Sequence, residues 1–223
     1  MQKVIVIVAG GSGTRMNSEL PKQFIEINGL PILMHTISQF HLYDASMDIR
    51  LVLPKSQIDF WNEMQPYYNF EIPCKVYEGG STRFDSVKNG LDEIDDDSLV
   101  AVHDGVRPFV SIETIDKGFQ LAADKGTAIP VISVQETLRH LSEEQSTTVN
   151  REDFKLVQTP QIFNSAILNE AYKQPFSPKF TDDASVVESL GYAIHLYNGN
   201  RENIKITTQV DLLVAKAYIG VAN

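Results

Sequence analysis

"KVIVIVAGGSGTRM", residues 3–16, sets a run of β-branched apolar residues directly before a glycine-rich turn. From Val4 to Ala9 no polar residue interrupts the run, which describes a strand buried on both faces, as in parallel sheets. Gly10, Gly11 and Gly13 then describe a turn whose backbone N–H groups can cradle phosphate oxygens, with Arg15 and Lys22 adding full charges. Two other nucleotide loops fail here at single residues. A dinucleotide fingerprint needs a third glycine where Met16 stands, and a phosphate loop of the Gly-Lys-Ser/Thr type has no such triplet. An ordinary strand-to-helix turn with two solvated cations stays open at this point.

The same alternation continues downstream. "IRLVLP" (49–54), "CKVYEGG" (74–80), "SLVAVHDGVRP" (98–108) and "TAIPVISV" (127–134) read as further strands. "PILMHTISQFHLY" (31–43), "SQIDFWNEMQPYY" (56–68), "DSVKNGLDEI" (85–94) and "IETIDKGFQLAADKG" (112–126) read as helices between them. Strands alternating with helices imply right-handed crossovers and an α/β fold with a doubly wound, mostly parallel sheet. Ligands of such sheets bind beyond the carboxyl ends of the strands. "AGGSG", "EGGSTR", "HDGVRP" and "NIKITT" all fall at strand ends, so they gather on one rim, the last carrying Lys205 on a short strand. Residues 135–158 differ: polar and apolar residues alternate around a polar centre, which describes a β-arm leaving the sheet. A second copy of the chain would complete its half-buried strands, making a homodimer. No repeat or linker divides the chain, so residues 1–223 read as one domain with an arm.

Composition narrows the function. Over 223 residues, 43% are hydrophobic and 22% charged, which suits a soluble globular chain. A net charge of −10 argues against a nucleic-acid binder with a broad basic surface, so positive charge for an anionic substrate must be local. Cys74 is the only cysteine, which excludes a disulfide framework and a four-thiolate metal site and suits a reducing cytoplasm. No signal peptide is read at the N-terminus, and no apolar run approaches the ~20 residues of a membrane span.

The rim supplies the chemistry. In "EGGSTRFDSVKNG" (78–90), Gly79 and Gly80 allow close backbone approach, Ser81, Thr82 and Ser86 offer hydroxyls, and Arg83 and Lys88 offer charge. The same segment reads as a helix start capped by Thr82 or Asp85. Asp104 ends a strand beside this site and suits Mg²⁺ held by few protein ligands, or alternatively caps a turn, and Arg107 follows three residues on. His103 alternates away from Asp104 and reads as a packed core histidine. Thr208 and Asp211 fit a capping box of the last helix, so Asp211 reads as structural. Asp95, Asp96 and Asp97 read as a solvated loop, and "TDDAS" (181–185) as a helix start. No Gly-x-Ser-x-Gly elbow is present. Glycine, cations and one aspartate are the inventory of phosphoryl or nucleotidyl transfer, where catalysis is mostly positioning and electrostatics.

Taken together, "AGGSGTRM", "LPKQF", "EGGSTRFDSV", "VHDGVRPF", "LVQTPQIF", "FTDDASVVE" and "NIKITTQVDL" resemble the 2-C-methyl-D-erythritol 4-phosphate cytidylyltransferase family, from about residue 4 to residue 217. The resemblance implies the nucleotidyltransferase variant of the doubly wound sheet, a dimerising arm, Mg²⁺, and CTP with a small phosphosugar alcohol as substrates. It also implies roles. Ala9, Gly10, Gly11, Gly13, Arg15 and Lys22 would hold the CTP phosphates, and Gly80, Ser81 and Ser86 the cytosine and its ribose. Asp104 would bind the metal, and Arg107, Thr137, Arg151, Thr159, Thr181 and Lys205 the phosphosugar, with Arg15, Lys22 and Lys205 the catalytic charges. Thr137 and Arg151 lie on the arm, so one of them would reach the neighbouring subunit's site. Ribitol-5-phosphate cytidylyltransferases share much of this pattern, including the "AGG-GTRM" turn, whereas "TDDAS" and "NREDFKLVQTPQ" are more similar to the isoprenoid enzymes. An NAD(P)-dependent reductase lacks support, because "RLVLPK" carries no acidic residue at the end of the second strand. A non-catalytic CTP sensor of the same fold would bind the nucleotide and release no pyrophosphate.

Overall fold

Side chains alternate across the first strand and bury on both sides. Ile5 and Ile7 join one apolar cluster, and Val4 and Val6 the other. This computed structural model describes residues 1–11, 20–143 and 145–221, the last two as backbone, so Gly13 and Arg15 lie outside the described residues. In chain order the elements are β1 (Gln2–Val8), β2 (Glu26–Ile27), β3 (Leu30–Pro31), α1 (Ile32–Tyr43), β4 (Asp48–Leu53), α2 (Lys55–Tyr67), β5 (Lys75–Glu78) and α3 (Arg83–Gly90). There follow β6 (Ser98–Asp104), α4 (Ile112–Lys125), β7 (Thr127–Ser133), β8 (Leu138–Leu141), β9 (Ser146–Val149), β10 (Lys155–Val157), β11 (Gln161–Asn164), α5 (Ser165–Ala171), α6 (Asp183–Glu188), β12 (Leu196–Asn198) and α7 (Gln209–Val221).

The main sheet runs β10-β7-β11-β6-β1-β4-β5, with β12 also on β7. The pairs β1–β4, β1–β6, β4–β5 and β7–β12 are parallel, as the alternation of strands and helices requires. β11 runs antiparallel between β6 and β7, and β10 antiparallel to β7. β11 and β12 have four and three residues, too few for a period to show in the sequence. One cluster buries Leu33, Ile37 and Phe40 of α1, Trp61 of α2 and Phe119 of α4. The opposite cluster buries Phe84 and Val87 of α3, Leu168 of α5 and Val187 of α6, so helices cover both faces. α4 begins at Ser111, whose side chain accepts from Thr114 N, and stops at Gly126, whose φ of 82° is left-handed.

Two expectations need correction. The arm is shorter than residues 135–158: β8 and β9 form a separate two-stranded hairpin, but Lys155–Val157 return to pair with β7. Lys205 stands on irregular backbone and not on a strand. Its segment is tied to the loop after β6 by Ile206 N donating to Val106 O at 3.0 Å. The β-branched "NIKITT" pattern looks strand-like, but the neighbouring backbone meets a loop there rather than a second extended ladder.

α3 lies so close to the sheet that a Cβ on Gly90 would come within 2.6 Å of Val6 Cγ1 and 2.9 Å of Val52 Cγ2. Gly90→Ala therefore lowers the urea unfolding midpoint, at a cost of about 1–3 kcal/mol, although alanine ordinarily favours a helix. A raised or unchanged midpoint would show that the helix stands farther from β1 and β4.

Candidate active site

The strands end level with one another. Val8 pairs with Asp104 on one side and Val52 on the other, and Leu53 pairs with Glu78. After β1 the chain winds outward to β4 and β5, then crosses back to β6 on the far side of β1. That reversal opens a crevice at the carboxyl ends, the position where such sheets bind ligands. Each ladder continues one residue into its loop: Ala9 N donates to Val52 O (3.0 Å), Gly79 N to Leu53 O (2.8 Å) and Gly105 N to Val8 O (2.9 Å). The loops are thus continuous with the rigid sheet. Between them lies a cleft of about 280 Å³.

The turn after β1 forms one wall. Lys22 opens a short 3₁₀ turn, Lys22–Phe24, and lines the cleft together with Ala9, Gly10 and Gly11. The buried Gln23 beneath it donates from Nε2 to Ala9 O at 2.7 Å, which anchors the start of the glycine turn.

The loop after β5 forms the opposite wall. Thr82 and Asp85 make the capping box of α3: Asp85 N donates to Thr82 Oγ1 (3.1 Å) and Thr82 N to Asp85 Oδ2 (3.1 Å). Ser81 Oγ donates to the same carboxylate at 2.8 Å. Ser86 Oγ donates to Thr82 O (2.8 Å) and accepts from Gly80 N (3.1 Å). A Cβ on Gly80 would fall 2.2 Å from Asp85 Cβ, so glycine is required there by the helix cap, before any ligand arrives. Hydrogen bonds from the Thr82 and Ser81 hydroxyls hold the Asp85 carboxyl below its ordinary pKa.

Asp104 forms the floor. Its Oδ2 meets Arg107 Nε at 2.9 Å and Lys205 Nζ at 3.2 Å. Burial pushes its pKa up, but the charges of Lys205, Arg107 and Arg83 outweigh that and hold it well below the usual carboxylate range. An ionised carboxylate in a polar cleft fits Mg²⁺, which takes one or two protein carboxylates and fills its shell with water and phosphate oxygens. Among the described residues no group of three or more potential metal-ligating His, Cys, Asp or Glu forms. His103, fully buried, packs edge-on against Phe40 at 4.9 Å, and desolvation pulls its pKa down to about 4, so the ring is neutral.

Ala9, Gly10, Gly11, Lys22, Gly80, Ser81, Ser86, Asp104 and Lys205 therefore share one cleft. Arg107 sits behind Asp104, with Nη1 donating to Asn203 O at 2.9 Å. Thr159 is buried, and its Oγ1 accepts from Asp104 N at 3.1 Å. Thr137, Arg151 and Thr181 are exposed and do not line the cleft, and Arg151 Nη1 donates to Gln135 O at the base of the arm. The sequence offered Arg83 only as a charge; it lines the cleft and forks onto the buried Asp183 at 2.8 and 2.7 Å. Tyr172 Oη donates to the same carboxylate at 2.6 Å. The partners lie 100 residues apart, and no local pattern joins them.

Two glycine-bearing loops, the cations Lys22, Arg83 and Lys205, and one carboxylate line this cleft at the carboxyl ends of the strands. On this sheet that defines the class: the chain is an α/β nucleotidyltransferase. The family model for 2-C-methyl-D-erythritol 4-phosphate cytidylyltransferase matches residues 3–221, and the chain belongs to that family. Relatives of that name from Bacteroides fragilis and Bacteroides thetaiotaomicron are 54% and 52% identical, each alignment covering 98% of this chain and 100% of the relative. The crystal structure of 4-diphosphocytidyl-2C-methyl-D-erythritol synthase from Anaerococcus prevotii superposes with a TM-score of 0.83 at 28% identity, covering 98% of this chain and 96% of that one. The 2-C-methyl-D-erythritol 4-phosphate cytidylyltransferase of Thermus thermophilus gives 0.76 at 32% identity, covering 98% of both chains.

Arg83→Met leaves the Asp183 carboxylate buried without its cation, and should cost about 3–5 kcal/mol in chemical denaturation. Arg83→Met combined with Asp183→Leu should regain most of that loss. Additive losses in the double variant would mean that the two side chains act independently.

Proposed function

We propose that the phosphate of 2-C-methyl-D-erythritol 4-phosphate attacks the α-phosphorus of CTP in this cleft, giving 4-diphosphocytidyl-2-C-methyl-D-erythritol and pyrophosphate. The observation that carries the reading is the meeting of two glycine-bearing loops with Lys22, Lys205 and ionised Asp104 on one floor. The attacking phosphate is already anionic near neutral pH, its second pKa being about 6, so no general base is needed. The obstacle is repulsion between two polyanions, followed by charge gathering on the α-phosphate and the leaving pyrophosphate. Lys22, beside the glycine turn, faces the nucleotide's phosphates, and Lys205, paired with Asp104, faces the sugar phosphate. Arg15 belongs with Lys22 on this reading. Backbone N–H groups of Gly10 and Gly11 add fixed dipoles that need no reorganisation during the reaction. Ser81 and the Gly80 backbone form the wall for base and ribose.

Asp104 would hold Mg²⁺, which when bound neutralises phosphate charge and orients the chain of phosphates. Lys205 and Arg107 now on Asp104 Oδ2 would then turn toward the incoming phosphate. Thr137 and Arg151 are exposed on the arm, and one of them reaches a neighbouring copy's cleft in a homodimer built on the arm. Exposed Leu141, Phe154 and Leu156 on and beside the arm support that pairing, since a second copy would bury them. Consumption of CTP suits a cytoplasmic enzyme. No described helix is long and apolar enough to cross a membrane.

Pyrophosphate release from CTP, measured with methylerythritol phosphate and ribitol 5-phosphate side by side, tests the reaction. Methylerythritol phosphate should be preferred, and a preference for ribitol phosphate would overturn the substrate while sparing the mechanism. Lys22→Ala should lower kcat by about 100-fold or more with an unchanged circular dichroism spectrum. Near-normal turnover would remove Lys22 from the mechanism.

A further inference from the structure

His103 takes part in a closed circuit of hydrogen bonds at the end of β6. Its Nε2 lies 3.1 Å from the carbonyl oxygen of Arg107. A carbonyl only accepts, so Nε2 carries the ring's proton and, on a neutral ring, Nδ1 is bare. Thr159 Oγ1, 3.0 Å from Nδ1, must therefore donate to it. That spends the hydroxyl's single proton and leaves Thr159 Oγ1 to accept the N–H of Asp104 at 3.1 Å. Arg107 Nε closes the circuit on Asp104 Oδ2 at 2.9 Å. On a neutral ring the Arg107 carbonyl thus determines the direction of both histidine bonds, while the Asp104 amide and the Arg107 guanidinium can only donate.

We propose that His103 is a positioning residue, which through Thr159 and the Arg107 carbonyl sets the places of Asp104 and Arg107 without touching substrate. Strand alternation puts its ring on the face opposite the Asp104 side chain, packed against Phe40 with no exposed surface, so it cannot swing into the cleft. It grips the "HDGVR" turn at both ends, the Asp104 amide through Thr159 and the Arg107 carbonyl directly. Asn203 extends the grip toward Lys205, since its Nδ2 donates to Thr159 O at 2.8 Å and its own carbonyl accepts from Arg107 Nη1 at 2.9 Å.

The role rests on the cytidylyl-transfer reading for its kinetic effect but not for its structural one. Three full-length variants separate the possibilities. His103→Gln keeps one donor and one acceptor, His103→Phe keeps the ring packing and loses both, and Thr159→Val removes the hydroxyl at constant shape. Each is followed by thermal melting, by amide hydrogen exchange over residues 104–107, and by pyrophosphate release with each substrate varied in turn. Below the melting transition, His103→Phe and Thr159→Val should each lower kcat and raise KM for the sugar phosphate by about tenfold, leaving KM for CTP within about twofold. Combining the two should add little, because they break the same circuit. His103→Gln should recover most of the loss, and exchange over 104–107 should quicken in His103→Phe and much less in His103→Gln. Unchanged exchange in His103→Phe, or equal kinetic damage in His103→Gln and His103→Phe, would overturn the proposal. A wild-type chain inactive with CTP would sink the reaction assignment, and the exchange data would still decide the role of His103.

Discussion

Everything at this site depends on the parallel pairing of β1 with β6. Val8 opposite Asp104 brings the glycine turn and the carboxylate to the same height, and the reversal of winding between the two strands leaves a crevice there. A slip of one residue would turn every side chain of β6 to the other face, moving Asp104 into the apolar cluster and His103 into the cleft. What opposes that slip is the charge of Asp104, which would enter an apolar cluster away from Lys205 and Arg107.

Charge then acts locally against the global balance. A chain of net charge −10 presents Lys22, Arg83 and Lys205 around one cleft, where anions would be held. Lys205, Arg107 and Arg83 keep Asp104 ionised despite its burial, so the floor carries a carboxylate where a metal would need one. Arg83 is locked by Asp183, whose carboxylate Tyr172 also holds, and this ties the start of α3 to α6. The α3 capping box and Ser86 preform that loop, so ordering it on binding should cost little.

Much of this was legible in the residues. The unbroken run before the glycines described a doubly buried strand, and the helix read as far as Gly126 stops there. Asp211 accepts from Thr207 N (2.9 Å) and Thr208 N (2.8 Å), the capping role that its spacing suggested. The glycines of the second loop were legible as close approach, and what approaches is the Asp85 side chain at Gly80 and Ser86 Oγ at Gly79. β10 joining the sheet was not legible, because exposed "KLV" reads equally as arm or edge. The bonds of the Thr159 hydroxyl to Asp104 N and the His103 ring span 55 and 56 residues, which no local pattern encodes.

By itself the sequence determined the fold class, the order of the loops around the rim and the inventory of charges. Those follow from short-range periodicity and from residue types at strand ends. Only the tertiary structure decided which charges face one another: Lys205 and Arg107 on Asp104, Arg83 on Asp183, His103 behind the floor. Such pairings are mostly set by how the chain crosses the sheet and returns, and electrostatic and hydrogen-bond energies depend on distances in space that adjacency along the chain does not encode.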